Sequence, residues 1–241
     1  MSNYKDLIKM KKFSTRYFYT YLVMIFVSST TTTHAINAEW DTRNLNTASK
    51  AEYLTELEKD LIVEINMLRS DPSRYAKEHI APLAKYYEKR ILHYPGDQPL
   101  ITREGVSALN ECVRELRRQK PLPLVYPAYG LSLAARDHVK DQSKSGETGH
   151  TGGDKSGMRD RIERYGKWET RIAENIAYGA KTARQIVVYL LIDDGVPGRG
   201  HRKNFLTPEF KTIGVSIGLH PQYKIMSVMD FAGGYNTSLE Y

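Results

Sequence analysis

Gly149-His150-Thr151-Gly152-Gly153, Ala173-Glu174-Asn175-Ile176-Ala177-Tyr178-Gly179 and Gly198-Arg199-Gly200-His201-Arg202-Lys203-Asn204-Phe205-Leu206 follow one another within a single stretch of the chain. Each segment sets a histidine or a carboxylate among glycines, which tolerate unusual backbone angles and let other groups approach the main chain closely. The pattern is that of a site assembled from separated pieces of chain.

Regular elements flank and join these pieces. Upstream, Leu131, Leu133, Ala134 and Val139 predict a helix over about residues 131–144 that stops at Ser145-Gly146, a helix C-terminal signal. Met158 to Tyr165 predicts a short helix closed by Gly166, and Thr170 to Tyr178 an extended run. Thr182 followed by Gln185 fits a capping box opening a helix with Ile186, Val187, Leu190 and Leu191 on its apolar face. Downstream, alternation in Lys211 to Leu219 and in Tyr223 to Phe231 predicts two strands joined around Pro221, a hairpin with one buried face.

Farther upstream, Leu54, Leu57, Leu61, Ile65 and Leu68 recur at steps of three and four, marking an amphipathic helix. It ends where Pro72 bars the preceding residue from helical geometry. Asn66 and Arg69, on its last turns, read as helix-end polar groups serving a loop. A second helix is expected over about residues 103–119, with Val106, Leu109, Cys112, Val113 and Leu116 inward and Arg114, Arg117 and Arg118 on a solvated face. Residues 73–102, rich in tyrosine and proline, predict only a partly helical connection, and Pro121 and Pro123 mark a short extended piece from Leu122 to Tyr126. Helices first and a sheet assembled late, without regular strand-helix alternation, indicate the α+β class, with a layered α-β-α arrangement and no parallel doubly wound sheet.

At the N-terminus, Lys9-Met10-Lys11-Lys12 and Arg16 precede the apolar run Tyr17 to Val27 and then Thr33-His34-Ala35. This is the pattern of an export signal over residues 1–35 cleaved near Ala35, with Met1 or Met10 as the start; the run is shorter than the roughly 20 residues a membrane-spanning helix needs. Residues 36–52 are polar and mixed and read as a linker or flexible arm; residues 53–241 read as one domain. The net charge of +7 includes +4 from the leader, and no Lys/Arg run with interleaved aromatics follows, so the composition argues against a nucleic-acid partner and for contact with the membrane only during export. One cysteine, Cys112, rules out an internal disulfide, and its apolar helical neighbours predict a buried thiol.

Two imidazoles and a carboxylate, His150, His201 and Glu174, are the minimum for a three-ligand zinc site with an open fourth position. Nothing in their spacing demands one, since no HExxH helix is present, and Glu174 could equally accept buried backbone N–H bonds. Ser156 and Ser216 lie in no recognisable nucleophile elbow.

Taken together, "VEINMLRSDPSRYA", "GHTG", "AENIAYG", "GRGHRKNFLTPEFKTIGVSIG" and "MDFAGGY" resemble the CAP superfamily, the SCP-like proteins that include cysteine-rich secretory proteins, venom allergen antigens and plant pathogenesis-related proteins. The resemblance spans about residues 55–235, with the motifs in family order, and implies a single-domain α-β-α sandwich with a cleft lined by two histidines and one or two acids, which binds zinc in some members. By position it assigns His150 and His201 to the cleft histidines and Glu174 to the acid, with Asn175 and Tyr178 beside Glu174 and Arg202 and Asn204 beside His201. Asp193 and Asp194 are the candidates for the second acid, Ala173 replaces the family's usual glycine, and the missing disulfides align the chain with cysteine-poor microbial members. The implied function is an exported, non-catalytic protein binding a small apolar ligand such as a lipid or sterol, a divalent metal, or an extracellular or cell-surface partner. The alternative is a zinc-assisted hydrolase or peptidase, with His150, His201 and Glu174 around the ion or Glu174 as the catalytic base.

Overall fold

A computed structural model describes residues 39–238, so the export signal expected over residues 1–35 lies outside the described residues. The elements run α1 (Thr42–Leu45), α2 (Glu56–Ser70), α3 (Pro72–Tyr75), a π-helical turn (Ala76–Ile80) and a 3-10 segment (Ala81–Tyr86). Next come β1 (Tyr87–Glu88), β2 (Ile91–Leu92), β3 (Leu100–Ile101), α4 (Val106–Leu116), β4 (Tyr126–Pro127), α5 (Tyr129–Ser145) and α6 (Met158–Glu163). The last are β5 (Gly166–Tyr178), α7 (Ala183–Ile192), α8 (Gly200–Leu206), β6 (Thr212–His220) and β7 (Lys224–Thr237).

The main sheet has the order β4-β6-β7-β5, with β4 parallel to β6 and the remaining pairs antiparallel. Its two faces follow from strand alternation. Ile213, Val215, Met229 and Phe231 join the core built with α2, α4 and α7, whereas Ile176, Met226, Val228 and Ala232 pack against α5 and α6. The product is the expected three-layer α-β-α sandwich, with β5 as one edge of the sheet.

A bulge in β5 sets which side chains reach which layer. Glu169 opposes Gly234 and Ile172 opposes Ala232, so Thr170 and Arg171 face the single residue Gly233. Thr170 adopts φ 69°, and a Cβ at Gly233 would press on it at 2.8 Å. The extra residue shifts the phase of the strand, which puts Glu174 opposite Asp230 on the α5/α6 side and Asn175 on the other.

The linker reading of residues 36–52 needs correction from residue 39 onward. Leu45, Ala48 and Ala51 are buried in the core, Trp40 lies 4.1 Å beneath the Arg74 guanidinium, and its indole donates to Glu78 at 2.8 Å. Order here depends on distant groups: Asn66 donates to Leu45 O and Val125 O and accepts from Val125 N–H. Small apolar residues held by a side chain from α2 leave little periodic signal in the segment itself. Residues 73–102, expected as a partly helical connection, are helical through Tyr86 and then add the three-stranded antiparallel sheet β1-β2-β3, which the sequence did not signal. No helix among the described residues is long and apolar enough to cross a membrane.

Candidate functional site

His150 follows the C-terminus of α5, which closes on Gly146 in the left-handed region as its sequence predicts. The backbone before His150 is clamped. Gly149 N–H donates to the Tyr178 hydroxyl at 2.9 Å, that hydroxyl donates to Gln142 Oε1 at 2.8 Å, and Gln142 Nε2 donates to Gly149 O at 2.8 Å. Buried His138 adds its Nε2 to the same carbonyl at 2.8 Å; burial lowers its pKa, so the ring is neutral and Nε2–H is the donor. Tyr178 therefore acts on the loop that carries His150.

Half-exposed, the His150 ring meets Glu174 through Nδ1 at 2.8 Å from Oε1, while Arg161 donates to Oε2 at 2.7 Å. Glu174 and Arg161 are each 2% exposed at the side chain. Burial alone would raise the Glu174 carboxyl, but the His150 hydrogen bond and the Arg161 charge outweigh it and hold the group below the usual carboxylate range. Opposite Glu174 stands Asp230, fully buried, with neither oxygen offered a donor by its surroundings. Two ionised carboxylates cannot hydrogen-bond to each other, so burial and the Glu174 charge push Asp230 well above the ordinary range; once protonated, its O–H has Glu174 as acceptor.

The pair carries opposite pH signatures. Glu174, depressed in the fold, contributes stability above the unfolded carboxylate value of about 4.3, lost as pH falls through its folded value. Asp230, raised in the fold, contributes stability below the unfolded value of about 3.9, lost as pH rises toward its folded value. Asp230→Asn is expected to keep the neutral shape and remove the second effect, so its advantage over wild type should grow with pH. Urea melts at about pH 4.5 and 8 check this, and an advantage independent of pH would contradict it.

His201 sits in the first turn of α8, on the other side of the edge strand. Its Nδ1 meets Asp193 Oδ1 at 2.7 Å, and Asp193 Oδ2 accepts the His201 N–H at 3.0 Å. Asp193 ends α7 in the left-handed region at φ 55°, so one residue terminates one helix, caps the next and orients its imidazole. Asn175 donates to His201 O at 3.1 Å and accepts from Asn204 Nδ2 at 2.8 Å, tying α8 to β5. Glu174 and Asn175, adjacent on β5, thus hold one imidazole segment on each face of the edge strand.

Two predicted cleft residues lie elsewhere. Arg202 is fully buried and donates to Leu191 O, Ile192 O, Glu111 and Glu115, locking α8 to α7 and α4. Asp194 turns away and accepts the N–H groups of Arg103 and Glu104. Arg161, His138, Gln142 and Asp230 are members of the site that the sequence did not single out. An acid on the otherwise apolar strand Val228-Met229-Asp230-Phe231 was the one available signal.

Among the described residues no three His, Cys, Asp or Glu side chains are placed to hold a metal ion, so His150, His201 and Glu174 do not form that group. Both Glu174 oxygens are engaged, one by an arginine, and both Asp193 oxygens are spent on His201. The acids orient the imidazoles through Nδ1 and leave each Nε2 free among the described residues, so they do not serve as the third ligand and the three-ligand set is not formed.

The sandwich and the two acid-held imidazoles flanking β5 together define a class of fold and site. The model of the CAP family, the cysteine-rich secretory protein family, matches residues 111–231, and the chain belongs to that family. Among solved structures it is similar to an extracellular SCP-domain protein of Bacillus anthracis, at 20% identity over 52% of this chain and 37% of that one, with a TM-score of 0.37. It is also similar to an outer surface protein of Borrelia burgdorferi, at 17% identity over 51% of this chain and 86% of that one, with a TM-score of 0.39. The chain spans little more than a third of the Bacillus protein. No curated protein matches it.

Proposed function

We propose that the chain is an exported, non-catalytic binding protein that takes a small, mainly apolar molecule. The observation that carries the reading is that both acids beside the imidazoles are fully committed to protein donors. What remains is two rings fixed through Nδ1, without a free carboxylate to serve as general base. Cys112 supplies no nucleophile: it is buried in the α4 core and its thiol is pushed up to about 12. A zinc-assisted hydrolase would need three protein ligands and a separate base, and Glu174 and Asp193 cannot fill either role without abandoning the bonds that orient the rings. Export is supported by the basic-then-apolar leader ending near Ala35 and by membership of a secretory family.

Purified mature protein, loaded with a mixture of small apolar molecules and passed through gel filtration, tests the reading by mass spectrometry of what it retains. Stoichiometric retention is expected, with ester and peptide hydrolysis no faster than in His150→Ala/His201→Ala. Failure to retain any of them, or hydrolysis lost in the double variant, would overturn it.

A further inference from the structure

A cavity of about 280 Å³ opens between the small β1-β2-β3 sheet and the C-terminal end of α7, with neither imidazole in its lining. Tyr87, Leu92, Leu100, Ile101, Tyr189 and Ile192 give it an apolar wall. Two of these, Leu100 and Ile101, are 41% and 82% exposed. Consecutive apolar side chains left open at the mouth of a cavity mark a binding surface more than an ordinary solvated one. Most of the lining precedes residue 111, outside the segment that matches the family model.

Several polar groups on the lining bond within the protein. Thr102 donates to Arg90 O, the Tyr189 hydroxyl accepts from Gln185, and Asp194 accepts two backbone N–H groups. Three donors are left over, one of them the Tyr189 hydroxyl proton. The Tyr87 hydroxyl is buried without a partner, and burial pushes it up to about 12, which keeps it a neutral donor. The Arg103 guanidinium, on the rim, has neither an ion pair nor a hydrogen bond with any described residue, Asp194 included. Its stem is held in place by Gly195, where any Cβ would run into the arginine side chain.

We infer that this cavity binds a small molecule with one anionic end and an apolar body, Arg103 meeting the charge at the mouth. A dry cavity of roughly 150 Å³ holds benzene, which scales to a body of about ten to twelve heavy atoms here. The assignment rests on the reading of the chain as a binding protein and gives that reading a place and a charge. Ile192 and Asp194 flank Asp193, which holds His201, so an occupant would sit beside the second imidazole segment.

Isothermal titration of the mature chain with decanoate, 4-phenylbutyrate and decanol tests the assignment, since the three probes are close in size and differ in charge or in the shape of the body. The acids are expected to bind at least tenfold more tightly than decanol. Arg103→Gln should weaken the acids about tenfold, leave decanol unchanged and keep the melting temperature, because Arg103 has no protein partner to lose. Methyl NMR shifts on binding should fall on Ile101 and Ile192. Binding of one acid alone would support the site and identify the body as alkyl or aryl. Equal binding of decanol and decanoate, acids indifferent to Arg103→Gln, or shifts elsewhere would overturn the site while leaving the binding-protein reading intact. No binding by any probe would also overturn the site, and the retention experiment would then decide the broader reading separately.

Discussion

Replacing Arg69 with alanine is expected to lower the melting temperature by about 10 °C, from a loss of roughly 4 kcal/mol or more. Arg69 is fully buried on the last turn of α2 and holds no carboxylate. Its guanidinium donates to four carbonyls: Pro123 O at 2.8 Å, Phe205 O at 2.7 Å, Thr207 O at 3.0 Å and Phe210 O at 2.8 Å. One side chain therefore pins the segment before β4 and the turn from α8 into β6 to the first long helix. Burial pulls the guanidinium down to about 10, which still leaves it charged at neutral pH. Alanine would leave buried acceptors unpaired, a cost paid in full because water cannot replace the donor there. Lysine should recover little, since a point charge cannot span four acceptors. Thermal melts of the three proteins check this; a shift under about 2 °C for Arg69→Ala would mean that water satisfies those carbonyls.

Gly214→Ala should cost about 3 kcal/mol or more, and Gly218→Ala markedly less. Both glycines lie on β6 beneath α5. A Cβ at Gly214 would collide with main-chain atoms of Leu131 and Ser132, so the helix itself would have to lift from the sheet. At Gly218 the nearest obstacle is a methyl group of the Val139 side chain, with no main-chain atom in the way, so the side chain can give without the helix lifting. Denaturant melts rank the two, and equal costs would mean that α5 rides on side chains at both points.

The elements legible in the sequence are those whose signal is local. Asp71-Pro72 ends α2 after Ser70, and Thr182 opens α7 by accepting the Gln185 N–H at 3.2 Å. Alternation located β6 and β7, but the expected single buried face needs correction: residues 213–216 and 226–232 are buried consecutively, because helices cover the sheet on both sides. Where order depends on a remote partner, the local signal fails. Residues 39–52 looked like linker because Asn66 and Arg74 hold them. His150, Glu174, His201 and Asn175 were recognisable as site positions, yet their pairing was not: nothing in sequence spacing says that Asp193 faces His201 while Asp194 faces Arg103 and Glu104. Arg202 was misplaced for a similar reason, since a residue next to His201 on a helix points a full 100° away from it. The bulge at Thr170 was equally hidden, although it decides that Glu174 meets His150.

Calorimetric titration of mature protein with zinc, wild type against His150→Ala/His201→Ala, tests most directly whether the acids serve the imidazoles and not an ion. The two proteins are expected to show the same weak, non-stoichiometric heats. One equivalent of zinc taken up by wild type at micromolar concentration and lost in the double variant would contradict the reading that the two rings share no ion.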